Sequence, residues 1–163
     1  MGINIDTNDL RNLRRCVELA REALEDGDEP FGSVLVSAAG ETLFEDRNRV
    51  KGGDETRHPE FEISRWAAAH LTPAERAAAT VYTSGEHCPM CAASHGWVGL
   101  GRIVYAASSQ QLTQWLTEWG CRAGPVAPLP ITQVVPGAVV DGPADELTEE
   151  VKALHRARFP HLA

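Results

Sequence analysis

The chain has 163 residues, the size of one domain and enough to bury a core without disulfide staples. Its 23 acidic against 15 basic residues leave a formal net charge of −8, which removes the general attraction for phosphate backbones that nucleic-acid binding relies on. No apolar run approaches a membrane span, the stretch from Met1 to Asp6 has neither a basic nor an apolar leader region, and Asp6 stands where an N-myristoylation motif needs Ser or Thr. The expectation is therefore a single cytoplasmic domain over residues 1–163, with its four cysteines as metal ligands or free thiols rather than disulfides.

Leu10, Leu13, Val17, Ala20 and Leu24 recur at helical spacing and predict an amphipathic helix over residues 8–25, stopped at Gly27. Residues 33–37 and 42–46 read as two strands around a turn at Gly40. A helix begins near His58, with Pro59 at its favoured first position, and runs to His70. Thr72-Pro73-Ala74-Glu75 is a capping box that opens a short helix, and residues 80–84 form a buried strand. Pro89 opens the next helix, ended by Gly99 or Gly101. A strand over 102–107 and a helix over 109–119 follow, the helix closed by Gly120. Residues 121–130, rich in Pro and Gly, read as a loop, 131–135 as a fifth strand or extended segment, and 146–158 as a terminal helix. Alternating strands and helices predict a layered α/β domain.

Two segments carry chemistry. In His58-Pro59-Glu60 and His87-Cys88-Pro89-Met90-Cys91, one His and two Cys supply three zinc ligands, and a catalytic zinc keeps three protein ligands and leaves its fourth position to water. Glu60, two residues from His58, can stand beside such a metal without binding it, as a carboxylate for moving protons. Both segments fall at predicted helix starts, where backbone N–H groups and the helix dipole favour thiolates.

The flanking residues extend the pattern. Pro30-Phe31-Gly32-Ser33-Val34, then Asn48, then Asp54-Glu55-Thr56-Arg57-His58-Pro59-Glu60, then Thr83-Ser84-Gly85-Glu86-His87-Cys88-Pro89-Met90-Cys91 occur in that order. The chain resembles the cytidine deaminase-like superfamily of zinc nucleobase deaminases over residues 10–107, and within it the guanine deaminase and tRNA adenosine deaminase branch. Pro59 replaces the usual Ala of that pattern and His87 the usual Pro. The resemblance implies a three-layer α/β/α sandwich with a five-stranded mixed central sheet, zinc held by His58, Cys88 and Cys91, Glu60 as the proton-moving group, and a homodimer. It also implies substrate contacts by Asn48, Phe31 and Trp97, the last two being aromatics at positions near the pocket; Glu118 could reach a substrate amino group from the helix that follows.

Competing readings accompany these. His87 or His95 as a fourth ligand would make a closed structural zinc site, which leaves Glu60 unexplained. Asn48 could be only a turn residue, Trp97 a core or dimer-contact residue and Glu118 a solvated carboxylate. The expected activity is that of a zinc aminohydrolase, cleaving C–N bonds of cyclic amidines in free bases such as guanine- or isoguanine-like purines and amino-triazines. A tRNA adenosine deaminase or a nucleoside deaminase is the alternative; nucleic acid is disfavoured by the charge. The apolar ending Phe159-Pro160-His161-Leu162 suggests that residues 143–163 cover an active-site mouth.

Overall fold

The computed structural model describes residues 4–162, so the leader and anchor expectations at residues 1–3, and the last residue of the tail, lie outside the described residues. The first helix, α1 (Thr7–Glu25), is opened by a capping box in which Asp6 and Asp9 exchange side-chain and backbone hydrogen bonds. It lays Leu13, Val17 and Ala20 on β1 (Gly32–Val36), which pairs antiparallel with β2 (Thr42–Arg47). Gly32 is needed at the crossing: a Cβ there would stand 2.4 Å from both Cys16 O and Leu19 Cβ of α1.

Helices α2 (Pro59–His70) and α3 (Pro73–Ala78) lead into β3 (Thr80–Gly85), and α4 (Pro89–Val98) into β4 (Ile103–Ala107). After β4 come α5 (Ser109–Glu118), the short α6 (Ile131–Val134), the two-residue β5 (Val140–Asp141) and the terminal α7 (Asp145–Ala157). The sheet runs β2-β1-β3-β4-β5, antiparallel through β3 and parallel from β3 to β5. Five strands between helical layers give the expected mixed α/β/α architecture.

Side-chain alternation along the strands sorts the two cores. Val34 and Val36 of β1, Tyr82 of β3 and Val104 of β4 pack with α1, α7 and Trp115 of α5. Leu35, Val81 and Ile103 face the other way, onto Ile63 and Ala67 of α2 and Ala92 of α4. Ser33 and Thr83 share that second face and continue it beyond the apolar core toward the C-terminal end of β3. A half-buried pair ties the first core down: Arg102 donates to both oxygens of the buried Asp9 at 2.8 and 3.0 Å, and the Tyr82 hydroxyl donates to the same carboxylate at 2.8 Å. These donors outweigh the burial that would raise Asp9 and hold its pKa below the ordinary value.

One element departs from expectation. Residues 131–134 are helical and the fifth strand lies later, at Val140–Asp141. β-branched Ile131, Thr132 and Val134 suggest a strand, but the Ile131 N–H is bound by a Glu86 carboxylate oxygen at 2.9 Å, and no ladder partner is left for it.

Candidate active site

His58 and Cys88 are the residues immediately before α2 and α4, each followed by a proline at the first helical position. Neither side chain caps its own helix. They turn to each other instead, because α2 and α4 pack side by side on one face of the sheet. Cys88 Sγ and Cys91 Sγ each lie 3.6 Å from His58 Nδ1, and the two sulfurs are 3.5 Å apart. Zinc bonds of about 2.3 Å to sulfur and about 2.0–2.1 Å to nitrogen at tetrahedral angles put donors about 3.5–3.8 Å apart, so this set fits zinc in spacing and in chemistry.

No fourth His, Cys, Asp or Glu joins the cluster among the described residues. His95 is buried with Nε2 at 2.8 Å from the Gly101 carbonyl, and His87 is buried edge-on against His95. A closed structural zinc site is thereby set aside, and three ligands leave an open position.

Electrostatics follow from the crowding. Cys88 is brought down to about 4, first by its contact with Cys91 and then by the His58 ring, against burial. Cys91 is pushed well up by Cys88 and by burial, while His58 is raised to about 9, chiefly by Cys88. Glu60 is buried one helical step inside α2, and burial raises its pKa against the hydrogen bond from Thr83. Its Oε1 accepts from the hydroxyls of Thr83 at 2.8 Å and Ser33 at 3.1 Å, the two polar residues that prolong the α2-facing side of β1 and β3.

A cavity of about 510 Å³ opens over this cluster. Its floor holds His58, Pro59, Glu60 and Cys88; Phe31 and Glu29 form one wall, and Leu112 and Leu116 of α5 another. Residues 121–130 bend over it, with Val126, Pro128 and Leu129 among the lining. His155 of α7 reaches the lining too, its ring edge-on to Phe31 with centroids 4.9 Å apart.

The structure therefore brings together His58, Glu60, Cys88, Cys91 and Phe31, but not every expected residue. Asn48 is fully buried behind the wall: Oδ1 accepts from Glu29 N–H at 3.3 Å and Val50 N–H at 3.1 Å, and Nδ2 has no partner. Trp97 does not reach the cavity; it is 92% exposed, on the side of α4 opposite the sheet. Glu118 is also off the cavity, exposed and bonded to Gln114 at 2.9 Å, because α5 turns Leu112, Thr113, Leu116 and Thr117 inward and Glu118 outward. The ending Phe159–Leu162 folds back under Arg156, which donates to the carbonyls of Phe159 and Leu162, and none of those four residues lines the cavity.

Sequence reasoning missed Glu29, Glu86, His155 and the 121–130 roof. Glu29 directly precedes one matched motif and Glu86 sits inside another, so both could have been found by position; His155 and the roof carry no local signal. Cys121 lines the cavity as a half-buried free thiol.

A family model for the cytidine and deoxycytidylate deaminase zinc-binding region matches residues 6–107. The chain belongs to that family. It is thus a hydrolase of C–N bonds with zinc as cofactor. A probable cytosine deaminase of Schizosaccharomyces pombe is 31% identical over 118 residues, 71% of this chain and 70% of the relative. A tRNA-specific adenosine deaminase of Agrobacterium fabrum is 34% identical over 89 residues, 54% of this chain and 58% of the relative. The solved guanine deaminase of Nitrosomonas europaea superposes with a TM-score of 0.69 at 20% identity, covering 96% of this chain and 86% of that one, which shows a common fold. The chain spans only 24% and 17% of two longer curated relatives.

The buried histidines set the acid limit of the fold. Burial first, and then the nearby Arg158 charge, lower His155 to about 3, against 6.5 for a free imidazole. His87 is lowered by burial and by His95, and His95 by burial. A depressed pKa means that the unfolded chain binds the extra proton, so the stability is complete above pH 6.5 and falls with pH toward 3. Urea unfolding of the His155→Leu variant should show a pH dependence between 6.5 and 4 shallower than wild type by up to ~1.4 kcal/mol per pH unit, with a residual slope from His87 and His95.

Proposed function

We propose that the chain is a hydrolytic deaminase of free nucleobases or related small amino-heterocycles, with guanine- or isoguanine-like purines and amino-triazines as the favoured class. The observation that carries this reading is the position of buried Glu60 and the His58–Cys88–Cys91 donor set at the floor of a mostly apolar cavity of about 510 Å³. That volume falls in the range of small-ligand sites, and apolar walls with a few fixed polar groups suit a planar ring.

Zinc held by His58, Cys88 and Cys91 would supply Lewis acidity, which in open three-ligand sites brings water to a pKa of about 7. Glu60 takes a proton from water as the water oxygen bonds to the ring carbon that bears the amino group, and passes it to the adjacent ring nitrogen. It moves the second water proton to the amine, the carbon–nitrogen bond breaks, ammonia leaves and a carbonyl remains. Burial raises the Glu60 pKa, against the hydrogen bond from Thr83, which makes the carboxylate a stronger proton acceptor than a solvated one. The Ser33 and Thr83 hydroxyls hold that carboxylate in register. Asn48 stands behind the wall and accepts the Glu29 N–H through Oδ1, so its part in this proposal is to hold that wall rather than to touch the base. Phe31 offers a ring face or edge as a wall, steadied by His155, so that α7, rather than the four residues after it, is the covering part of residues 143–163 in this proposal.

The tRNA-specific relative favours a second reading, deamination of adenosine in tRNA. A net charge of −8 and the apolar roof speak for the small base. Ammonia release from free bases, nucleosides and a tRNA anticodon stem separates the two: turnover confined to the stem overturns the proposal. Four free cysteines, two of them ligands, support a reducing, cytoplasmic setting. A homodimer is part of the proposal, since Trp97 is 92% exposed on α4 and large exposed aromatics suit interface cores. A monomeric mass by light scattering at micromolar concentration counts against it.

Glu60→Ala should keep one zinc per chain by metal analysis and lose on the order of 10²- to 10⁴-fold in kcat, because the carboxylate moves protons without holding metal. Chelation should abolish wild-type turnover and added zinc restore it. Loss of zinc in the variant, or near-normal rates, would overturn the assignment.

Pro59 lines the cavity between His58 and Glu60 and brings no N–H to it. An acceptor on a base edge that meets this backbone lacks a donor, a cost of about 1–3 kcal/mol. Selectivity should therefore lean away from ordinary guanine or cytosine. In Pro59→Ala, kcat/KM for one of those bases relative to isoguanine or an amino-triazine should rise several-fold to about a hundredfold. An unchanged ranking of bases shows that Pro59 does not set specificity.

A further inference from the structure

Three carboxylates line the cavity, and their hydrogen bonds give them different tasks. Glu60 accepts from Ser33 and Thr83 beside the zinc ligands. Glu86 is fully used inside the protein: Oε1 accepts the Ser109 N–H at 3.0 Å and Oε2 the Ile131 N–H at 2.9 Å, which anchors the start of α5 and the far end of the roof. Glu29 is the third. Its Oε1 meets Arg158 Nη2 at 2.9 Å, and among the described residues nothing donates a hydrogen bond to its Oε2.

Glu29 is also a fixed group. Its N–H donates to Asn48 Oδ1 at 3.3 Å, and its carbonyl accepts the Phe31 N–H at 2.8 Å. The side chain is only 20% exposed, and Arg158 holds one oxygen. It lines the same cavity as the His58, Pro59 and Glu60 floor, two residues before Phe31. The other charged residue of the lining that is not committed to the floor or to Glu86's anchor is Arg122, which is exposed on the roof. Beside the committed Glu60 and Glu86, the cavity thus presents one carboxylate with an oxygen left unused among apolar surfaces, an oxygen that suits a hydrogen-bond donor.

We infer that Glu29 is a specificity-determining residue whose free oxygen accepts a hydrogen bond from a second N–H donor on the reacting ring, distinct from the amino group that leaves. The cavity then prefers amino-heterocycles whose reacting ring carries such a donor, a ring N–H or a second amino group, over rings that carry the leaving amino group alone. Arg158 is a positioning residue that orients the carboxylate. This inference rests on the small-base reading above and narrows it.

Two substrate pairs isolate the second donor: guanine against 2-aminopurine, and 2,6-diaminopurine against adenine. Steady-state kcat and KM for each are measured with wild type, Glu29→Gln and Arg158→Gln. Wild type should favour the donor-bearing member by about ten- to a hundredfold in kcat/KM, the range of a hydrogen bond to a charged group. Glu29→Gln should bring the ratio to within about threefold of unity, mainly through KM. Arg158→Gln should lower Tm as Glu29→Gln does but reduce the ratio only part-way, mainly through KM, because the carboxylate stays and only its orientation is lost; equal ratios in the two variants would mark the pair as merely structural and overturn the inference. Wild-type turnover with the same ratio in Glu29→Gln overturns the inference and leaves the function standing; turnover of none of the four by wild type overturns the substrate class and the inference together. If Glu29→Gln does not fold, Glu29→Asp keeps the charge and withdraws the oxygen by one methylene: a reduced ratio supports the inference and an unchanged one overturns it.

Discussion

The site depends on one constraint: two helices must start side by side with their first side chains turned toward each other. An N-cap residue usually spends its side chain on the orphan N–H groups of its own helix. His58 and Cys88 do not, and proline at the next position removes one of those orphan donors from each helix. The two prolines therefore lower the cost of using N-cap positions for ligands. They also commit the backbone: the φ of the first helical residue is fixed, and α2 and α4 leave the sheet in directions that bring His58 Nδ1 within 3.6 Å of both sulfurs. Cys91, one turn into α4, completes the set from the same helix face.

Around this centre the chain divides its labour. Residues 6–107, which match the family, provide the sheet, the ligands, Glu60 and Phe31. The remainder provides enclosure: α5, the 121–130 roof and His155 close a cavity that the matched part leaves open. Glu86 couples the two parts, since it sits in the ligand motif while its oxygens hold the backbone at Ser109 and Ile131, the two ends of the enclosing segment. Its charge is satisfied by N–H groups near helix starts, where a carboxylate is stabilised. The Phe31–His155 and Glu29–Arg158 contacts join the same two parts at the other side of the cavity.

The parts of the structure legible in the sequence are those whose signals are local. The zinc ligands, the proline-opened helices and the capping box at Thr72 depend on residues within a few positions of each other, and the strands β1 to β4 on alternation or short apolar runs. Where a position is decided by distant partners, the sequence is silent or misleading. Ile131 has strand propensity, but Glu86, 45 residues earlier, takes its N–H. β5 is two residues long and exists only because β4 offers it a parallel ladder. Trp97 shares a helix with two site residues, yet helix phase turns it to solvent. Glu118 fails for the same reason on α5, one residue beyond a lining position. His155 is invisible because nothing near it in sequence tells that α7 crosses the cavity.

Selectivity follows from how few polar groups the enclosure leaves free. His155 is pressed to about 3 by burial, so at neutral pH it is an uncharged wall and adds no cation. Glu86 is spent on backbone, Pro59 brings no N–H, and Asn48 Oδ1 is occupied by Glu29 and Val50. What stays available is the second oxygen of Glu29 and the proton-moving Glu60. A site with so few polar groups discriminates most strongly through those left unpaired, since a wrong ligand must bury them without partners. Discrimination by size is weaker, because a cavity of about 510 Å³ has room to spare around one base. The pattern of donors and acceptors on the ring edge, rather than the bulk of the ring, is therefore the property to which this enclosure is most sensitive.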